Sequence, residues 1–260
     1  MTCTLICFDP TDSYHAVILL KLAIISDIHG NLEALSNVLA DIESAGIADI
    51  VCLGDCIGYG PDPEKVIAEI RQRQIPIIMG NHELAVCNPH QLAWFNPLAQ
   101  ASLRKTMTML SSASIDFIEQ LPKSIKIAQC LCVHGYPPDS VRTYLFQKPP
   151  EALIKTFKSM PESICFVGHT HDLEIVTFDG RRIERHGLKQ GRINLDAELG
   201  YIINVGSVGQ PRDGNNNAKY VIYDEETSVL EIRFIPYDIA TTVAKIKAAG
   251  LPENHANRLW

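Results

Sequence analysis

Short apolar runs recur along the 260-residue chain, and each of them ends in polar residues or glycine. The six clearest runs are Leu22–Ser26, Ile50–Leu53, Ile75–Met79, Leu131–Val133, Ile164–Val167 and Tyr201–Val205. Their short length and β-branched content favour buried strands over helices. Further strand candidates follow at Leu173–Phe178, Lys219–Asp224 and Val229–Pro236.

Segments of helical character separate the first three runs. Apolar residues recur at helical spacing in Leu32–Glu43, and Pro63–Arg73 is a second helical candidate. The order strand, helix, strand, helix, strand predicts a βαβ arrangement that begins with parallel strands. A second sheet that closes a sandwich is the simplest use for the late strands, and a last helix is predicted around Ile239–Ala249.

Two stretches depart from this pattern. Residues 84–121 carry apolar side chains at helical spacing without a strand signal, so we expect a small helical, cap-like insertion beside the site. It would belong to a single α/β (α+β) domain that spans residues 21–260. Residues 1–20 are predicted to be an irregular leader, because acidic residues precede its apolar run where a signal peptide would be basic. The natural start could lie near Leu20.

Composition narrows the function classes. The hydrophobic content of 46% suits a sizeable core, and the net charge of −7 argues against an extended nucleic-acid-binding face. A small anionic substrate remains compatible with this charge, since bound divalent ions would reverse the local sign. The eight cysteines form no CxxC pair, which favours buried, reduced thiols and a cytoplasmic location without a membrane partner. The oligomeric state is left open.

Metal-type side chains follow five of the six runs. The residues after these runs are Asp27-Ile28-His29-Gly30-Asn31, Gly54-Asp55, Gly80-Asn81-His82-Glu83, His134-Gly135 and Gly168-His169-Thr170-His171. In open α/β sheets, ligands bind in the crevice beyond the carboxyl ends of the strands. Alternate residues of an extended chain point the same way, so each Asp-x-His or His-x-His pair is expected to aim two ligand atoms at one place.

These donors suit manganese, iron or zinc rather than a soft-metal site, because no thiolate is among them. Any single Asp or His could instead cap a helix or lie in a solvated loop. Five of the nine histidines fall within these motifs, however, which is hard to obtain by chance. The motifs offer two carboxylates, one amide oxygen and four imidazoles as candidate ligands. These seven donors are too many for one tetrahedral ion but suit two ions that share a bridge.

The five motifs, in this order, resemble the signature of the calcineurin-like metallophosphoesterases over roughly residues 21–235. The phrases Gly58-Tyr59-Gly60-Pro61-Asp62-Pro63 and Asn204-Val205-Gly206-Ser207-Val208-Gly209-Gln210-Pro211-Arg212 extend the resemblance to the compact bacterial and archaeal phosphodiesterase-like branch. The resemblance implies a four-layer αββα sandwich, in which two mixed β-sheets are flanked by helices.

The resemblance also implies the site. One divalent ion would bind Asp27, His29, Asp55 and His171, and the other would bind Asp55, Asn81, His134 and His169. The ions are expected to be Mn²⁺, with iron, nickel or zinc as alternatives. A hydroxide bridging them would attack phosphorus in line with the leaving oxygen, and His82, which is not a ligand, would assist that oxygen.

One position departs from the family pattern. Many relatives carry an aspartate three residues after the bridging one, where it orients the histidine equivalent to His82, but this chain has Gly58. A carboxylate partner for His82 would then come from elsewhere, such as Glu83, or be absent. Arg212 is a candidate phosphate-binding residue, and a surface salt bridge is its alternative role. Cys56 could be an oxidation-sensitive neighbour of Asp55, although simple burial is favoured.

The predicted function is therefore a dinuclear metal-dependent phosphoesterase, a phosphodiesterase or phosphatase that acts on a small phosphorylated molecule. A protein phosphatase and a dinucleoside polyphosphate hydrolase are alternatives within the enzymes. A metal-binding scaffold without activity is less favoured, because neither the ligand set nor His82 is lost. Aromatic residues near the site, Tyr59 and Trp94, could stack on a base or sugar, or they could serve packing.

Overall fold

The structure is a computed structural model that describes residues 21–260. The predicted leader, residues 1–20, lies outside the described residues. The strands are β1 Lys21–Ile25, β2 Asp49–Cys52, β3 Ser124–Ile127, β4 Cys130–Val133, β5 Ile164–Val167, β6 Leu173–Phe178, β7 Ile183–Gly187, β8 Gly191–Asn194, β9 Gly200–Val205, β10 Ala218–Asp224 and β11 Val229–Ile235. The α-helices are α1 Leu32–Ser44, α2 Pro63–Gln72, α3 Asn81–Cys87, α4 Pro97–Met107, α5 Ser112–Glu119, α6 Pro150–Ser159, α7 Ile239–Ala248 and α8 Glu253–Asn257.

The strands form two mixed sheets. The first has the order β2-β1-β10-β11-β8, and the second has the order β3-β4-β5-β9-β6-β7. Parallel pairs join β1 to β2 in the first sheet, and β4 to β5 and β5 to β9 in the second. The remaining pairs are antiparallel, and short hairpin connections join three of them, β3–β4, β6–β7 and β10–β11.

Alternation along the strands builds the layers. In β1, Leu22 and Ile24 face the other sheet, whereas Ala23 and Ile25 face the helices. One apolar cluster fills the space between the sheets, with Phe166 among its fully buried residues. A second cluster packs α1 and α2 on the first sheet, and a third packs α6 on the second. The predicted αββα sandwich of two mixed sheets is thus confirmed.

The third apolar run does not form the predicted strand. Ile77 makes one isolated parallel bridge to Cys52, and the carbonyl of Pro76 accepts a hydrogen bond of 2.9 Å from the Cys52 amide. Pro76 has no N–H to donate, so the ladder cannot continue through this residue. The segment therefore lies beside β2 as an irregular extended piece that leads into α3.

Two strands carried no pattern that predicted them. The strands β7 and β8 lie at sheet edges and are largely exposed, so their residues do not alternate between apolar and polar.

Residues 81–119 contain α3, a 3₁₀ turn at Pro89–Trp94, α4 and α5. Leu103 and Ile118 of these helices join the apolar cluster that also holds α1 and α2. Every helix within residues 21–260 is too short or too polar to cross a bilayer.

Candidate metal centre

The seven predicted ligands come from five loops at one edge of the sandwich. Asp27 and His29 follow β1, Asp55 follows β2, and Asn81 begins α3. His134 follows β4, while His169 and His171 lie between β5 and β6. All seven side chains are buried, with exposed fractions of 8% or less. The loops bring them together across separations of more than 140 residues, as the pairs His29–His171 and Asp27–His169 show.

The expectation that these motifs lie on an extended chain is wrong. Asp27, His29, His169 and His171 have positive φ angles of 54°, 50°, 70° and 65°, which place them in the left-handed region. Non-glycine residues rarely adopt this conformation, and it persists only where surrounding contacts enforce it. The pairs converge through tight turns of the backbone rather than through strand alternation.

Hydrogen bonds between loops enforce this geometry. The Asp27 amide donates to the Gly54 carbonyl at 3.0 Å, and the His29 amide donates to the Asp55 carbonyl at 2.9 Å. Asp27 Oδ2 accepts from the His169 amide at 3.0 Å, and Asp55 Oδ1 accepts from the His82 amide at 2.9 Å. Each carboxylate therefore keeps one oxygen tied to the backbone and directs the other towards the histidines.

Two glycines permit these carboxylates to approach the backbone. A Cβ at Gly168 would lie 2.6 Å from Asp27 Oδ2, and a Cβ at Gly80 would lie 2.1 Å from Asp55 Oδ1. Both distances are shorter than any normal contact, so a side chain at either position would displace a carboxylate. The requirement is for space and not for a glycine-specific φ angle, because neither residue has a positive φ angle.

The first ligand group comprises Asp27, His29 and His171. His171 Nε2 lies 3.3 Å from Asp27 Oδ1, and His29 Nε2 lies 3.8 Å from the same oxygen. The two Nε2 atoms are 3.0 Å apart. The Nδ1 atom of His29 lies 3.0 Å from the Ile57 carbonyl, and that of His171 lies 2.6 Å from the Gln210 carbonyl. Since each Nδ1 must donate its hydrogen there, both Nε2 lone pairs face one another, an arrangement that a cation between them would stabilise.

The second ligand group comprises Asp55, Asn81, His134 and His169. His134 Nε2 lies 3.2 Å from Asp55 Oδ2 and 3.1 Å from Asn81 Oδ1. His134 Nδ1 lies 2.8 Å from the Leu53 carbonyl, which fixes its tautomer as in the first group. His169 differs, because its Nε2 lies 3.1 Å from the Arg142 carbonyl and its Nδ1 is left for the centre.

Asp55 lies between the two groups. Its Oδ2 is 3.8 Å from His29 Nε2 in the first group and 3.2 Å from His134 Nε2 in the second. The ligand atoms of Asp55, His134 and His169 all lie within 4.8 Å of one another, as do those of Asp27, His29 and His171. A carboxylate in this position can reach both groups, which is the geometry that a bridging ligand requires.

The charges of the site also suit cations. Burial opposes ionisation of Asp27 and Asp55, but the neighbouring histidines outweigh it and hold the pKa of both carboxyls below the usual range. Burial likewise disfavours a charge on His134, yet Asp55 and Asp27 raise its pKa to about 10. The negative charge that favours a proton on His134 Nε2 would equally favour a metal ion there. The donor set of two carboxylates, one amide and four imidazoles therefore fits divalent ions such as manganese or zinc.

Glu83 has a role that the sequence did not reveal. Its carboxylate is fully buried and accepts hydrogen bonds from the amides of Asp55, Cys56 and Gly80 at 2.8, 2.8 and 3.0 Å. Burial and the neighbouring Asp55 raise the pKa of Glu83 to about 7. Glu83 thus holds the loop that carries Asp55 and makes no hydrogen bond to His82, so it is not the carboxylate partner of that histidine.

His82 is held by aromatic rings rather than by a carboxylate. Its Nδ1 is buried without a hydrogen-bond partner among residues 21–260. Rings of Tyr59, His29 and Phe95 surround it, with centroids 4.6, 4.7 and 5.1 Å away. A Cβ at position 58 would lie 2.1 Å from His82 Nδ1, so the glycine leaves the space that the ring occupies. Burial lowers the pKa of His82 to about 4.

His82 also lies close to the predicted ligands. Its Nε2 lies 3.9 Å from Asp55 Oδ2, and His29, Asp55 and His82 form a third group whose ligand atoms lie within 4.8 Å. The geometry therefore brings His82 as close to the centre as the predicted ligands. Its assignment as a residue that faces the substrate stays a prediction.

A cleft of about 640 Å³ opens over the centre, and Asp55, His82, His169 and His171 form part of its wall. Arg212 lies at its rim and is exposed. Its Nη2 donates to Gln210 Oε1 at 3.3 Å. A surface salt bridge was the alternative role for Arg212. Within residues 21–260, no carboxylate pairs with Arg212, so this salt bridge is not formed.

Sequence reasoning missed two residues that line the cleft, Arg142 and Tyr144. Tyr144 stacks on His169 with centroids 4.0 Å apart and an interplanar angle of 15°. The guanidinium of Arg142 lies 4.6 Å from the centre of the Trp94 ring, which is 73% exposed. Both residues belong to an irregular loop after β4, where no periodicity or motif distinguished them. Trp94 thus stands at the cleft rim, whereas Tyr59 is buried against His82.

Cys56 is fully buried, and its Sγ lies 3.4 Å from that of Cys52. Burial and the contact with Cys52 raise the pKa of Cys56 well above its usual value. A thiol in this state reacts poorly, because the thiolate is the reactive form. The favoured reading of Cys56 as a buried packing residue therefore agrees with its surroundings.

The fold and the gathered donors define a class of α/β sandwich proteins with clusters of Asp and His side chains able to hold metal ions. Comparisons with known proteins identify the family. The family model described as the calcineurin-like phosphoesterase superfamily domain matches residues 20–228. An uncharacterized protein of Methanocaldococcus jannaschii is 36% identical over 244 residues, which cover 92% of this chain and 97% of that protein. The chain belongs to the calcineurin-like phosphoesterase superfamily, as the resemblance of the motifs had predicted.

Solved structures agree with this assignment. A metallophosphoesterase from Sphaerobacter thermophilus is 32% identical, with a TM-score of 0.79 over 92% of this chain and 98% of that one. A hypothetical protein from Pyrococcus horikoshii has a TM-score of 0.77 over 92% of this chain and 97% of that one. At 19% identity, the second structure supports the fold alone. Family membership implies phosphoester hydrolase activity.

Proposed function

We propose that this protein is a dinuclear metal-dependent phosphoesterase that hydrolyses a small phosphorylated molecule, with a phosphodiester as the preferred substrate. The observation that carries the proposal is the position of Asp55, whose carboxylate lies within 3.2 to 3.8 Å of histidines in both ligand groups. One ion would bind Asp27, His29, Asp55 and His171. The other would bind Asp55, Asn81, His134 and His169.

When bound, two divalent ions supply acidity to water near neutral pH and positive charge beside the phosphoryl oxygens. The chain supplies the positioning. Backbone carbonyls hold the rings of His29, His134 and His171 in the tautomer that leaves Nε2 free. The buried carboxylate of Glu83 fixes the loop that carries Asp55. These contacts keep the donors in place before any substrate arrives.

In this proposal, His82 donates a hydrogen bond from Nε2 to the leaving oxygen. The aromatic rings around His82 fix the plane of its imidazole. No side chain among residues 21–260 forms a hydrogen bond with its Nδ1. Arg212 is proposed to bind a phosphoryl oxygen of the substrate, because its guanidinium is exposed at the cleft rim and free of any carboxylate within residues 21–260. The cleft volume of about 640 Å³ suits a small molecule rather than a folded partner.

The donor set, the cysteines and the net charge suggest a metal ion, a compartment and a class of partner. Mn²⁺ is the proposed ion, with iron, nickel and zinc as the alternatives that the same donors accept. The six cysteines within residues 21–260 are free thiols, which is compatible with the proposed cytoplasmic location. We propose no extended nucleic-acid partner, since the chain carries a net charge of −7.

The test is hydrolysis of bis(p-nitrophenyl) phosphate and p-nitrophenyl phosphate by the purified protein, stripped of metal and then loaded in turn with Mn²⁺, Mg²⁺, Ni²⁺ and Zn²⁺. We expect activity that depends on the added ion and is highest on the diester with Mn²⁺. A folded protein that binds two equivalents of metal and hydrolyses neither compound would instead be a metal-binding scaffold. Activity on the monoester alone would replace the proposed phosphodiesterase by a phosphatase.

A further inference from the structure

A second cleft adjoins the metal centre. Its volume is about 590 Å³, and it shares four wall residues, Tyr59, Asn96, Tyr144 and Arg212, with the cleft over the ligands. Shared walls mean that one ligand can extend from the first cleft into the second. A single phosphate group would leave the second cleft unused, so the pair of clefts suits a longer substrate.

Residues 214–216 line the second cleft, and hydrogen bonds hold their loop in place. The Lys219 side chain is fully buried, and its ammonium donates to Asp213 Oδ1 at 2.7 Å and to the Asn215 and Asn217 carbonyls at 2.6 and 3.1 Å. Asn216 Nδ2 donates to the Trp260 carbonyl at 2.7 Å, which ties the loop to the segment that follows α8. The wall is therefore built by specific hydrogen bonds before a ligand binds.

Two arginines line the second cleft. Arg212 lies between the two clefts, and Arg258 lines only the second. Neither guanidinium pairs with a carboxylate within residues 21–260, and Asp213, the acid of the adjoining loop, is engaged by Lys219. The ring of Trp260 stands beside them and is 65% exposed, so a planar group can stack on it.

We infer that the second cleft is a subsite for a second phosphate group, bound by Arg258 and Arg212, with a planar base on Trp260. The substrate class is thus a nucleotide diester that carries another phosphate away from the scissile one. This inference rests on the proposed function. His82 lines only the first cleft, so the leaving group lies there and the part that keeps the scissile phosphate extends into the second.

The experiment uses two substrates with the same scissile bond and the same leaving group. They are the p-nitrophenyl ester of thymidine 5′-phosphate and the same compound with a phosphate on the 3′ oxygen. For the Mn²⁺-loaded protein, we expect the 3′-phosphate to lower KM about ten-fold, the size of one arginine–phosphate contact. In Arg258→Gln the ratio of the two KM values should fall to about one. Arg181→Gln, which changes an exposed arginine in the turn between β6 and β7, should keep the wild-type ratio.

Equal KM values for the two substrates in the wild type, or an unchanged ratio in Arg258→Gln, would overturn the subsite. Absence of hydrolysis for both substrates would count against the proposed function alone. Calorimetry with thymidine 3′,5′-bisphosphate and thymidine 5′-monophosphate then measures the subsite by itself. A Kd about ten-fold lower for the bisphosphate, lost in Arg258→Gln, supports the inference, and equal Kd values contradict it.

Discussion

Replacing Gly58 by alanine tests how His82 is positioned in a chain that lacks a carboxylate partner for it. A Cβ at this position would lie 2.1 Å from His82 Nδ1 and 2.8 Å from its Cε1, both far inside van der Waals contact. The ring must therefore move by about 1 Å, and it is enclosed by Tyr59 and Phe95. A displaced His82 would no longer face the leaving oxygen in the same geometry.

Two magnitudes follow from this geometry. A shift of about 1 Å in a positioned group typically costs about a hundred-fold in rate, so kcat should fall by about that factor. Gly58 also has a φ angle of 84°, and alanine in this left-handed region costs about 1–2 kcal/mol of folding free energy. Stability and rate should thus both decrease, for separate reasons.

Gly180→Ala separates the two effects. Gly180 has a φ angle of 89°, and no heavy atom lies within 4 Å of a Cβ built there. It should lose about the same 1–2 kcal/mol and keep its kcat. The measurements are urea unfolding for both variants and kcat on bis(p-nitrophenyl) phosphate with saturating Mn²⁺. Metal content, measured by elemental analysis, should stay at the wild-type value in both.

Equal kcat values for Gly58→Ala and Gly180→Ala would refute the argument that space at Gly58 positions His82. Loss of an ion in Gly58→Ala would contradict a different point, the assignment of His82 as a residue that is not a ligand. That outcome has a structural basis, because His82 Nε2 lies 3.9 Å from Asp55 Oδ2.

Four further changes test other parts of the structure. Asp55→Ala should lose both ions in elemental analysis, and retention of two would rule out a bridging carboxylate. His82→Ala should keep both ions but slow turnover, most for poor leaving groups; a rate that does not depend on His82 would remove it from the mechanism. Glu83→Gln sets an amide group against backbone N–H donors and should weaken Mn²⁺ binding about 10–100-fold in a titration, whereas unchanged affinity would show that the loop holds without this carboxylate. Phe166→Ala, in the core between the sheets, should cost about 3–5 kcal/mol in urea unfolding, while the exposed Phe146→Ala should change little; similar values for the two would place Phe166 outside the main core.

The sequence by itself determined the architecture and the donor set. Strands such as Ile164–Val167 are short and wholly apolar because both faces are buried, and this pattern is visible without a structure. The motif residues lie directly after such strands, so the strand ends also located Asp27, Asp55 and His134 at one edge. Local signals were sufficient here because each depends on a few consecutive residues.

Local signals failed where hydrogen bonds between distant segments decided the conformation. Within the phrase Asn204–Arg212, the sequence suggested a role for Arg212 but none for Asn204 or Ser207. In the structure, Asn204 Nδ2 donates to the Gly168 carbonyl at 2.7 Å, and Ser207 Oγ donates to the Asp27 carbonyl at 2.9 Å. These bonds hold loops that lie 36 and 180 residues away along the chain.

The tertiary structure alone decided how the ligands meet. The sequence suggested extended pairs, but His169 and His171 have left-handed φ angles of 70° and 65°, which distant contacts enforce. It also decided that Glu83 holds the Asp55 loop and that aromatic rings surround His82. Residue types fix which atoms can bind a metal ion, because that is a property of each side chain. Which of those atoms come within a few ångströms of one another depends on backbone conformations that only the packed loops impose.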